Sequence, residues 1–227
     1  MRLSQYEMLG HAQAGIALER IFLELTANRL RHAKESAEYA YLLHELREEA
    51  GHSLMFLKLA AVSGLAIPDW RTTLPRIARP ASRLLPSGAL YWAMLVIGED
   101  IPDKFNRFVR RHAGARFSPL IRQMITLHMV DEARHIAYAR QRLDACMSGR
   151  SRISARLLSA VLDQLFNQFL RAYFWPRAEL YQCAGLGDGK AWRRLALRNP
   201  HRREFVLRLV APTMRLLAGH GIDVKLR

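Results

Sequence analysis

The chain has 227 residues and a mass of 26.1 kDa, enough for one large domain or two small ones whose core needs no staples. Half of it is hydrophobic and 24% is charged, a globular rather than a disordered balance, and its two cysteines, Cys146 and Cys183, exclude a disulfide framework and fit no zinc spacing. The net charge is +15, from 35 Lys and Arg against 20 Asp and Glu, and this draws anions: nucleic acid, acidic carrier proteins, carboxylate or phosphorylated substrates. An arginine-rich coding composition would give the same excess.

The opening MRLSQYEML has no apolar stretch of the kind that marks a secretory signal. The longest uncharged, mainly apolar run is Ser87 to Gly98, too short to span a bilayer. The expectation is a cytoplasmic protein in a reducing compartment, with no membrane partner.

Residues 4–30 carry apolar groups at Leu9, Ala12, Ile16 and Leu23 with no proline, and residues 35–63 do so through Tyr39, Leu42, Leu46 and Phe56. Both patterns predict long helices. Residues 64–86 hold Pro68, Pro75, Pro80 and Pro86, so they read as a crossover connection between two helix pairs. Helical patterns resume at about 87–113, 117–147 and 151–182, with kinks expected at Pro102 and Pro176. Breaks fall at 148–150, around Gly149, and at 185–189, and a shorter helix follows at about 202–218. No window alternates strictly, so few or no strands are expected, and there is no repeat at a solenoid period. The reading is all-α, one domain over 1–227, with long helices bundled around one core.

Two segments of this helical chain carry chemistry. Residues 48–52 read Glu-Glu-Ala-Gly-His and residues 131–135 read Asp-Glu-Ala-Arg-His. Each holds Glu-x-x-His, as Glu49–His52 and Glu132–His135. Residues three apart lie about 60° apart on a helix, one turn up, so a carboxylate and an imidazole reach one metal ion from one face. With 12 Glu and 9 His in the chain, chance predicts about half such a match. A pair of solvated i,i+3 neighbours is the plain alternative. The flanks oppose it, because Leu42, Leu46 and Phe56 surround the first pair and Ile125, Met129 and Ile136 the second. Charges on an apolar face are costly unless something compensates them.

A carboxylate-bridged two-metal bundle needs one further Glu from each of two other helices. The first helix offers Glu19, near the Ala12, Ile16 and Leu23 stripe, with Glu24 as competitor. The third offers Glu99, with Asp100 as the alternative. The order Glu, Glu-x-x-His, Glu, Glu-x-x-His on four long helices resembles the ferritin-like di-iron carboxylate proteins, over roughly residues 4–147. The resemblance implies a ferritin-like four-helix bundle with extra carboxy-terminal helices at about 151–218. It also implies that Asp131 and Glu48 accept the second N–H of a ligand imidazole, with Arg134 balancing the charge.

His128 lies four residues before Glu132 and seven before His135, so all three share a face. A satisfied core or surface histidine is the plain alternative. The string His128-x3-Glu132-x2-His135 resembles the p-aminobenzoate N-oxygenase family, in which a third histidine completes an asymmetric di-iron site. By that resemblance the ligands are Glu19, Glu49, His52, Glu99, His128, Glu132 and His135. The metals implied are two Fe, with Mn as substitute, and the co-substrate is O2. The implied reaction is N-oxygenation of an arylamine. No G-x-G-x-x-G fingerprint is present, so electrons come from an external reductase.

The aromatic stretch 161–181 could line a substrate cavity, and ordinary core packing explains most of it. Asn167 and Arg171, with Gln164 nearby, are candidates for a substrate carboxylate. The basic clusters Trp192-Arg193-Arg194 and His201-Arg202-Arg203 read as a solvated face, or as a dock for an acidic carrier of a tethered substrate. The remaining partner expectations are a small-molecule substrate, anionic or carrier-tethered, and a homodimer. Alternatives are a di-iron hydroxylase acting on carbon in a small molecule or tRNA, and a ferritin-like iron-binding or ferroxidase protein. His128 disfavours a nucleic-acid substrate.

Overall fold

The computed structural model describes residues 2–68, 88–113 and 118–227. Most of the expected crossover connection, including Pro75, Pro80 and Pro86, lies outside the described residues. The elements are α1 (Arg2–Leu30), α2 (Ser36–Val62), α3 (Ala89–Ala113), α4 (Pro119–Met147), α5 (Arg152–Phe174), α6 (Ala178–Cys183), α7 (Gly189–Arg198) and α8 (Pro200–Gly219). No strand occurs among the described residues. None of these helices is long and apolar enough to cross a membrane. The chain forms two compact units, Met1–Arg83 with Gln168–Val206, and Leu84–Asn167 with Leu207–Arg227.

In the first unit α1 and α2 form a hairpin closed by residues 31–35. Their order is antiparallel, since Gly15 faces Phe56 at one level and Arg29 meets Glu38 at another. The Arg29–Glu38 pair is buried and joined twice, from Nε at 3.0 Å and from Nη2 at 2.5 Å. It locks the closed end of the hairpin. A Cβ on Gly15 would stand 2.8 Å from the Phe56 ring, so glycine allows the close approach of the two helices. Near the amino terminus Tyr6 packs with Leu180 and Ala184.

In the second unit α3 and α4 run antiparallel. Trp92, fully buried, meets Tyr138 edge-on at 5.5 Å, and the Arg142 guanidinium lies 5.6 Å over the Trp92 ring. Ser118 caps α4 by accepting from the Ile121 N–H, with Pro119 at the first helical position. Breaks stand where glycine predicts them: Gly149 has φ 76° and Gly185 φ 84°, a left-handed conformation that strains other residues.

Two expectations change. Pro176 does not kink a helix running to 182. It separates α5, ending at Phe174, from the short α6, because proline lacks the N–H and pushes its predecessor out of helical geometry. The helix over 189–198 is additional to those the sequence pattern predicts. There Asp188 accepts from the Lys190 and Ala191 N–H groups and starts α7 directly after the glycine-rich break.

Candidate metal centre

The inner face of α2 carries Leu42, Glu45, Glu49, His52, Phe56 and Leu59, all buried. Two acids and an imidazole therefore sit in an otherwise apolar stripe. Glu49 is wholly buried and its Oε2 lies 3.2 Å from His52 Nδ1. Across the hairpin α1 contributes Glu19, also buried, with a ligand atom within 4.8 Å of one on His52. Glu45 and Glu49 likewise bring carboxylate oxygens within 4.8 Å of each other. Glu24 is different: its side chain is 46% exposed and pairs with Arg20 at 3.3 Å. Glu19 is thus the acid that α1 presents beside His52.

The α3–α4 pair repeats the pattern within the second unit. Glu99, His128, Glu132 and His135 are all buried. His128 Nε2 is 3.4 Å from Glu132 Oε1, and His135 Nδ1 is 3.7 Å from Glu132 Oε2. Glu132 thus stands between two imidazoles, one a turn before it and one a turn after. Glu99 reaches within 4.8 Å of His135. Asp100 is committed elsewhere. Its Oδ1 accepts from Arg140 at 2.7 Å, and its Oδ2 accepts from Thr213 at 2.5 Å and pairs with Lys104. Three donors make Asp100 a structural anchor, whereas Glu99 is the acid that α3 places beside His135.

Asn106 joins this group without having been singled out from the sequence. It is buried, and its side-chain amide lies 3.3 Å from His128 Nδ1. It sits seven residues after Glu99, so both share a face of α3. That register was the available signal.

Glu48 and Asp131 lie nearer the surface. Glu48 pairs with Arg47 at 2.9 Å, and Asp131 with Arg134 at 3.2 Å, the latter two side chains 32% and 57% exposed. Of the residues expected to bind substrate, Gln164 and Arg171 are exposed. Asn167 is buried, and its amide is engaged by backbone: it donates to the carbonyls of Asp163 and Lys225 and accepts from the Arg227 N–H.

Each unit thus buries carboxylates against imidazoles at helical spacing. Such acids require a cation or a proton nearby. Hard oxygen and borderline nitrogen donors together suit divalent first-row metals, Fe(II) and Mn(II) among them. The donors present therefore fit a metal in kind, in burial and in spacing.

The family model for p-aminobenzoate N-oxygenase AurF matches residues 1–221. The chain belongs to the AurF family. AurF proteins are ferritin-like, helical and di-iron, and the all-helical elements here agree with that class. Curated relatives include uncharacterized proteins of Mycobacterium bovis and of Mycobacterium tuberculosis, each 34% identical over 113 residues. That match covers 48% of this chain and 32% of each relative, so the chain spans about a third of their length. No solved structure gives a significant match.

Proposed function

We propose that this AurF-family chain is a non-haem di-iron oxygenase that inserts oxygen into a small amine, an arylamine foremost. The observation that carries the reading is the buried Glu-x-x-His helix in each unit, preceded in each by a helix bearing a buried Glu. The ligands would be Glu19, Glu49 and His52 from one unit and Glu99, His128, Glu132 and His135 from the other. Four carboxylates balance the charge of two divalent ions, and three neutral imidazoles complete the donors, so a buried centre carries no large net charge.

Ferrous ions at this centre would supply electrons for the reduction of O2. The residues do the rest. Glu49 and Glu132, each wholly buried, keep their oxygens away from water. Their imidazole neighbours at i+3 and i−4 are held by helix geometry, so the donors need little rearrangement to meet an ion. Asn106 orients His128 through its Nδ1. In a single N-hydroxylation one oxygen atom enters the N–H bond and the other leaves as water, which consumes two electrons and two protons. An external reductase is the proposed source. The strongly basic surface favours an anionic or carrier-tethered form of the substrate.

The test is anaerobic iron loading of the full chain, chemical reduction, then O2 with a panel of arylamines analysed by mass spectrometry. The expected result is two irons per chain and N-hydroxy, nitroso or nitro products. His128→Ala should keep the helical content and lose or weaken one iron. Iron oxidation without any oxygenated amine would overturn the reading in favour of a ferroxidase.

A further inference from the structure

We infer that Glu45 is a further metal ligand, the α2 counterpart of His128. The inference deepens the proposed di-iron reading and rests on it. The two Glu-x-x-His helices share a longer register. On α2 it is Glu45-x3-Glu49-x2-His52, and on α4 it is His128-x3-Glu132-x2-His135. Relative to the central Glu, the first residue lies about 40° to one side and the last about 60° to the same side. The three members therefore share one narrow face in each helix. The α4 set places an imidazole where the α2 set places a carboxylate.

The structure treats the two positions alike. Glu45 is 2% exposed and His128 is 3% exposed. His128 Nε2 comes to 3.4 Å of Glu132, and Glu45 brings an oxygen within 4.8 Å of Glu49. Glu45 and Glu49 therefore offer two oxygens at a separation that one ion can span. A solvated i,i+4 acid would not be buried among Leu42, Phe56 and Leu59. With Glu45 included, the α1–α2 side offers three carboxylates and one imidazole, and the α3–α4 side two carboxylates and two imidazoles. The first set is the harder of the two, so the metal positions it favours differ, with the α1–α2 side suited to the harder ion.

The experiment measures metal per chain, chelator-competition affinity and the visible spectrum after Co(II) substitution, for the full chain and its variants. Metal-free circular dichroism checks that each variant folds. Glu45→Ala and Glu45→Gln should weaken one of the two metal equivalents at least tenfold and change the Co(II) bands. Glu45→His should restore both equivalents, because an imidazole at this register is what α4 already uses. A role in packing or in holding a proton would leave the wild-type Co(II) bands unchanged in Glu45→Gln. Glu24→Gln, at the exposed acid of α1, should change nothing. If Glu49→Ala loses metal while Glu45→Ala and Glu45→Gln keep both equivalents and the wild-type Co(II) spectrum, Glu45 is no ligand and the di-iron reading survives. If the wild-type chain binds no Fe(II), Mn(II) or Co(II), the di-iron reading falls and this inference falls with it.

Discussion

Asn106 shows how a neutral side chain can decide the state of the proposed ligand His128. Its amide faces the Nδ1 of His128 at 3.3 Å. An amide meets a ring nitrogen with either its oxygen or its nitrogen. When Nε2 is the metal donor, Nδ1 carries the proton and the Asn106 oxygen accepts it, which fixes both tautomer and ring orientation. Asn106→Leu keeps the volume but removes the acceptor. We expect it to fold and to bind metal about 10–100-fold more weakly, the usual effect of losing such a partner. A chelator titration of the metal-loaded variant against the wild type measures this. Unchanged affinity would reduce Asn106 to a packing residue. Asn106→Asp, which still accepts the Nδ1 proton, should recover most of the loss.

At the scale of the element, α5 carries a polar ladder at Ser159, Asp163 and Asn167, spaced four residues apart on one face. The carboxy-terminal segment lies along it in extended form. The Asp223 N–H donates to Ser159 Oγ at 3.0 Å, the Lys225 N–H to Asp163 Oδ1 at 2.8 Å and the Arg227 N–H to Asn167 Oδ1 at 2.9 Å. Alternate residues of the segment thus meet successive turns of the helix, while Ile222 and Val224, both nearly fully buried, turn inward. This gives Asn167 a structural occupation. Asn167→Ala should lower stability by about 1–3 kcal/mol through the unsatisfied buried groups it leaves, read as a lower urea midpoint. If stability held while substrate KM rose, the residue would belong to a substrate site instead. The ladder also shows why elements were unequally legible in the sequence. Long amphipathic helices announce themselves by period, and breaks by glycine and proline. A three-rung ladder waiting for a distant extended segment has no local signature, and short α7 was hidden behind the glycines that flank its start.

At the scale of the whole chain, the buried Glu and His groups were legible as candidates because their spacing is dictated by one helical turn. Glu49–His52 and Glu132–His135 follow from i,i+3 geometry alone. The sequence favours Glu19 and Glu99 with Glu24 and Asp100 as competitors, and what separates each pair in the structure is which acid meets an arginine, Arg20 or Arg140, outside the stripe. The burial of Glu45 was not legible for a related reason: an acid at that position reads as solvated until the fold turns it inward.

Acid stability is where local burial becomes a property of the molecule. The His11 ring lies tilted at 5.0 Å from Tyr173 and edge-on at 5.9 Å from Phe174. Desolvation by burial, aided by the nearby Arg202 charge, pushes its pKa down from 6.5 to about 3, against a smaller opposing hydrogen bond with Tyr173. Arg202 is itself tied to Glu7 at 2.5 Å, and the buried Tyr181 lies in the field of both. A histidine whose folded pKa is depressed is neutral in both states above about pH 6.5, so it costs nothing there. Between pH 6.5 and about 3 the unfolded chain binds a proton that the folded chain refuses, and stability falls with falling pH. The limiting slope for one proton is about 1.4 kcal/mol per pH unit. His11 keeps some surface exposure, so the measured slope should fall below that limit. Urea midpoints from pH 7 to pH 4 should decline in the wild-type chain. His11→Phe, which keeps the aromatic contacts without a titratable group, should flatten that decline by close to one proton. An unchanged slope in the variant would mean that His11 is solvated enough to titrate normally, and that the acid sensitivity of the fold resides in other groups.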